Sequence, residues 1–151
     1  VLAFTLLALC AAIAWLIVRR MVATLMEEYQ GDVGRQAFRR DRERLEFRFL
    51  QALERNDPEE RARWEDAHWK DGVYWARDRS TRRLLALVSV ELPRKPGSGP
   101  VRETAVTALF EFRKGAWVAE GRFVEKALPA DACRHARLEA VSPPAEETDP
   151  R

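Results

Sequence analysis

The sequence predicts an α+β fold: an N-terminal transmembrane helix, then helices packed on a four-stranded antiparallel β-meander. Three observations carry this expectation. Val1–Val18 is an uncharged apolar run, VLAFTLLALCAAIAWLIV. Between Arg35 and Arg55 apolar side chains recur at helical spacing. From Gly72 onward the pattern changes to short β-type runs bounded by turn residues.

Residues 1–20 are read as the anchor. A spanning helix needs about 20 predominantly apolar residues. Thr5 is the only polar side chain in the run, Arg19 and Arg20 can snorkel, and Met21 and Val22 extend the apolar stripe. Trp15, near the charged end, suits a membrane interface. A cleaved signal peptide would carry its basic residues before the run, whereas Arg19 and Arg20 follow it. Leu7-Ala8-Leu9-Cys10 departs from a lipoprotein cleavage box, because Leu9 stands where a small residue is wanted. A buried core helix would be shorter and amphipathic. Arg19, Arg20, Arg35, Arg39, Arg40, Arg42 and Arg44 all lie C-terminal to the run. The positive-inside rule then places the folded domain in the cytoplasm of a single-pass membrane protein.

Residues 21–56 form a juxtamembrane helical segment. Gly31-Asp32-Val33-Gly34 predicts a break at 31–34, since each glycine weakens a helix by about 1 kcal/mol relative to alanine. The helix from Arg35 to Arg55 carries the stripe Phe38, Leu45, Phe49 and Ala52, widened by Phe47, Leu50 and Leu53. Residues 57–140 form the α+β domain. Asp57 is an N-cap, Pro58 occupies the first helical position, and acids fill the first turn. This third helix is expected to end near Asp71-Gly72. Residues 141–151, polar and proline-rich, are read as a disordered tail.

Four strands follow: Val73–Arg77, Arg83–Leu92, Val101–Arg113 and Ala116–Lys126. A polar turn spans Asp78–Arg82, and Pro93–Pro100 is a loop by composition. Placing Lys114-Gly115 in a two-residue hairpin turn pairs Arg113 with Ala116. Phe112 then faces Trp117, Phe110 faces Ala119, Ala108 faces Gly121 and Val106 faces Phe123. On the other face Thr107 opposes Arg122 and Glu103 opposes Lys126. That second face is also apolar in part, through Leu85, Leu87, Leu109 and Val118. Exposing several such side chains is costly, so something is expected to cover it. The candidates are the C-terminal helix expected over Leu128–Ala140, the helix bearing Leu45 and Phe49, or a second copy of the chain. The order of elements, helix then antiparallel sheet, resembles the cystatin or NTF2-like architecture in order alone.

Charge excludes one class of function. The 26 basic and 24 acidic residues are nearly balanced and interleaved, so no concentrated basic stripe marks a nucleic-acid interface. Arg79, Arg82 and Arg83, with Arg94 and Lys95, make at most a modest basic rim. Cys10 lies in the apolar run and Cys133 near the C-terminus, which rules out a disulfide scaffold. Cys133-Arg134-His135 offers two potential metal ligands where a structural zinc site needs four. His68 has Glu65 and Asp66 nearby but no neighbouring nucleophile. Trp64, Trp69, Tyr74 and Trp75 are read as the seam closing the core.

These features imply no catalytic residue, metal or cofactor. The expected function is a membrane-tethered, non-enzymatic interaction or assembly module. Its partners would be the lipid bilayer and a protein, or a second copy in a homodimer. Leu85, Leu87, Leu109 and Val118 are its candidate surface. The alternative is a small-ligand or enzymatic domain with a pocket between helices and sheet, for which Trp64, His68 and Trp75 are the candidates.

Overall fold

A computed structural model describes residues 2–93, 104–125 and 127–141. The elements are α1 (Leu2–Asn56), α2 (Pro58–Arg63), β1 (His68–Asp78), β2 (Leu84–Leu92), β3 (Thr104–Arg113), β4 (Ala116–Glu125), α3 (Pro129–His135) and β5 (Leu138–Ala140). The fold is α+β, with a long, apolar N-terminal helix. Its sheet has five strands rather than four, in the order β4-β3-β2-β1-β5, and every pairing is antiparallel. The Pro93–Pro100 loop beyond Pro93, the Glu103–Lys126 pair and the tail from Ser142 lie outside the described residues.

The expected break at 31–34 does not occur: α1 runs unbroken to Asn56. Gly31, Gly34, Phe38, Leu45, Phe49 and Ala52 lie buried along one side of it. Gly34 is there for close approach. A Cβ on Gly34 would sit 3.0 Å from Leu84 Cδ2 and 3.4 Å from Phe112 Cδ1. Trp117 Nε1 donates to the Gly34 carbonyl at 2.7 Å. Tertiary packing thus outweighs the poor helix propensity of glycine. Phe47, expected to widen the buried stripe, is exposed.

Asp57 caps α2 as expected, accepting from the Glu60 amide at 3.0 Å, but the helix ends at Arg63 and not near Gly72. Trp64 then turns into the core between Phe49 and Phe123. His68 and Trp69 already pair with Glu91 and Val90 of β2. The irregularity between Trp69 and Val73 exposes carbonyls that α1 answers: Arg42 donates to the Lys70 and Asp71 carbonyls.

The hairpin turn is as expected. Lys114 and Gly115 have φ of 52° and 79°, and Phe112 pairs with Trp117. Beyond Glu111–Val118 the register shifts by two residues, so Ala108 faces Phe123 and Val106 faces Glu125. Thr107 accordingly faces Val124 instead of Arg122. A slip of two keeps every side chain on its expected face, because strand periodicity is two. The bulge belongs to the docking of α1. Gly121 adopts φ 70°, and a Cβ there would lie 2.9 Å from the Leu53 backbone nitrogen. Asn56 Nδ2 donates to the Glu120 carbonyl at 3.2 Å.

The expected C-terminal helix stops at His135, and Leu138–Ala140 instead adds strand β5 to the free edge of β1. Covering that edge removes a row of unpaired backbone groups.

Candidate functional site

The side of the sheet facing α1 is filled with aromatic rings. Phe38 packs edge-on against Trp75, Phe110 and Trp117, with centroids 5.6, 5.3 and 4.9 Å away. Phe49 joins Trp64, Trp69 and Phe110. Trp64 is buried, with Nε1 donating to Glu60 at 3.1 Å, and Trp75 is buried at the far end of the cluster. His68 is exposed at the start of β1. The three pocket candidates therefore do not converge on one cavity. Two of them are part of the core.

The opposite face holds Leu85, Leu87 and Leu109, all buried, with Val118 half-buried beside them. Leu85, Leu109 and Val118 meet around one small crevice with Glu111, Glu120 and Arg122. The chain itself supplies most of the cover. Ala127, Ala132, Cys133 and Leu138 pack on Ala76, Leu85, Leu87 and Leu109. Thr107 Oγ1, fully buried, donates to the Ala127 carbonyl at 2.7 Å and pins the start of this cover. Of the covers expected, α3 and its flanks are the ones present. Burial pushes the Cys133 thiol up from its ordinary value, against the pull of Arg79, while His135 is exposed. Cys133 and His135 thus do not act together. Among the described residues no group of three or more His, Cys, Asp or Glu side chains is placed to hold a metal ion.

A cavity of about 560 Å³ lies at the end of the sheet nearest the apolar part of α1. Its walls are the Glu27–Val33 stretch of α1, the β1–β2 turn and the β3–β4 turn. Arg77, Arg82, Arg83, Arg113 and Lys114 line it against a single carboxylate, Glu27. Glu27 accepts from Arg77 at 2.9 Å and Arg82 at 3.1 Å, which ties the β1–β2 turn to the helix. Behind the rim, Glu111 accepts from Arg83 at 2.7 Å and Arg113 at 2.6 Å, and Glu120 accepts from Arg113 at 3.1 Å. Burial would raise the Glu111 pKa, but the two guanidiniums together hold it below the usual carboxylate range. The β1–β2 turn is built on Asp78, whose carboxylate accepts from Ser80 Oγ and from the Ser80 and Thr81 amides. Those hydrogen bonds hold its pKa down at about 2. Arg35 Nε and Nη1 are buried with no hydrogen-bond partner beside Gly31.

Arg79 of the basic rim read from the sequence is not among the residues lining this cavity, but Arg82 and Arg83 are. Their grouping with Arg77 and Arg113 arises only when both turns dock on α1. Comparison with known proteins finds no matching family model, no similar curated protein and no similar solved structure.

Proposed function

We propose that this chain is a membrane-tethered, non-enzymatic interaction and assembly module. The apolar N-terminal part of α1 crosses the bilayer once and carries the α+β unit on its arginine-flanked, cytoplasmic side. The observation that carries this reading is the state of the apolar part of α1. From Leu9 to Val18 every residue is exposed, and the rest of the chain buries none of the apolar window. A soluble core helix buries its apolar side; this one is apolar all round. Each large apolar side chain withdrawn from water contributes roughly 1.5–3 kcal/mol, and lipid can supply that burial. The aromatic core that joins α1 to the sheet ties the α+β unit firmly to the membrane-proximal helix, as a tethered module requires. The cystatin or NTF2-like element order is a likeness of order and carries no part of this reading.

The test is partition. Full-length protein should stay in the membrane pellet after an alkaline carbonate wash, and a polypeptide starting at Met21 should be soluble. Release of the full-length protein into the supernatant would overturn the reading.

A second reading is favoured by the cationic cavity: binding of a small anionic ligand between α1 and the two turns. Five cationic side chains line it; Arg77, Arg82, Arg83 and Arg113 are ion-paired with Glu27, Glu139, Glu111 and Glu120, and Lys114 with their remaining donors would meet a phosphate or carboxylate group. Titration with inorganic phosphate, compared between the native chain and Lys114→Gln, tests it. Saturable binding weakened by the substitution would support this second reading, and no binding would remove it.

A further inference from the structure

Beyond the arginine pair, α1 does not become polar all round. Val22, Leu25, Met26 and Tyr29 are 51–68% exposed. At about 100° per residue these four share one side of the helix. Glu27, Gly31, Gly34 and Phe38, which meet the sheet or its turns, lie on roughly the opposite side. The sheet therefore does not obstruct the stripe, and no described element of the chain covers it. Above it, Trp15 and Val18 continue the same line, also exposed. Trp15, Val18, Val22, Leu25 and Tyr29 are separated by steps of three, four, three and four residues. That alternation is the a/d seam of a left-handed helix pair. It ends where Asp32 and Gln36 take the next two seam positions.

We infer that this stripe is the interface on which two copies of the chain pair through α1, parallel and in register. The inference rests on the membrane-tethered reading and deepens it. Two copies inserted in one bilayer must present their helices in the same direction and their stripes at the same height. A second copy thus meets the seam residue for residue, with Val22 on Val22 and Leu25 on Leu25. So short a seam would be weak between free helices in water. Confinement to one membrane raises the effective concentration and removes the orientational cost. The wet part of the stripe, from Val22 to Tyr29, gains from burial that lipid does not provide there. The folded units lie on the outer sides of such a pair, and Tyr29, the last seam residue, also borders the cationic cavity.

Cysteine cross-linking in native membranes tests this. In full-length protein with Cys10→Ser and Cys133→Ser, single cysteines replace Val22, Leu25 and Tyr29, and separately Thr24 and Glu28. Under mild oxidation, Leu25→Cys and its stripe partners should give at least about fivefold more cross-linked homodimer than Thr24→Cys or Glu28→Cys. Exposed single substitutions leave the fold intact, so the periodicity across the series is the readout. A flat profile, a maximum at Thr24 or Glu28, or cross-linking only to a different protein would overturn the pairing. The same membranes, washed in alkaline carbonate, report the tether separately. Protein retained in the pellet without a Leu25-centred profile sinks the pairing alone. Protein lost to the supernatant sinks the membrane reading, and with it the pairing that depends on it.

Discussion

Substituting Gly121 by alanine measures how firmly the end of α1 is locked to the β4 bulge. Gly121 sits at φ 70°, so a side chain there is strained whatever the space around it. A left-handed conformation costs an L-residue roughly 1–2 kcal/mol, partly offset by the lower entropy of the unfolded alanine chain. The new Cβ would also stand 2.9 Å from the Leu53 nitrogen and 3.1 Å from its Cα. Those are backbone atoms of a helix held by Phe49, Leu53 and Asn56, so relief requires α1 to shift. Overpacking of this kind typically costs about 1–3 kcal/mol. The two effects sum to roughly 2–4 kcal/mol. Gly115 supplies the control. It has φ 79° but open space around it, so Gly115→Ala should cost only about 1 kcal/mol. Chemical denaturation of the full chain in detergent, followed by fluorescence of the core tryptophans, gives both values. Equal costs within about 0.5 kcal/mol would refute the docking of α1 on the bulge.

Three further outcomes are expected. Thr107→Val should destabilise by about 1–3 kcal/mol by leaving the buried Ala127 carbonyl without its donor, and should speed proteolysis across Ala127–Leu138. The depressed Asp78 pKa stabilises the β1–β2 turn above the ordinary carboxylate value. This contribution should fade as pH falls toward about 2, and in Asp78→Asn the acid-dependent part should disappear from a pH–stability profile. Glu27→Gln should weaken the tie between α1 and the turn, giving faster amide exchange over Arg77–Arg83 with little change in the sheet core.

The α+β class, the hairpin at Lys114-Gly115 and the Asp57 cap were legible in the sequence because each rests on local chemistry. The departures have tertiary causes. Gly31 and Gly34 look like a helix break when propensity is read alone. At Gly34 the nearness of Leu84 and the Trp117 indole explains why the helix passes through it. The β4 bulge was invisible because a two-residue slip preserves the alternation from which the register was read. The His68–Gly72 segment looked helical beside Trp64. Pairing with the end of β2, and Arg42 reaching across from α1, draw it into β1 instead. β5, with three residues, is too short to leave a periodic signal. Apolar residues on both parities did announce that the second face is covered, but not that α3 and its flanks cover it. The cationic cavity needs three separate segments brought together, so the sequence showed its arginines and not the site.

The central claim, that α1 crosses a bilayer, is tested most directly at Cys10, which lies within the apolar part of the helix. In a Cys133→Ser variant Cys10 is the only thiol left. A membrane-impermeant maleimide should leave it unlabelled in washed membranes, intact or opened, and label it fully once the protein is denatured in SDS. Rapid labelling in membranes, or loss of the thiol with a cleaved N-terminal segment, would contradict the account.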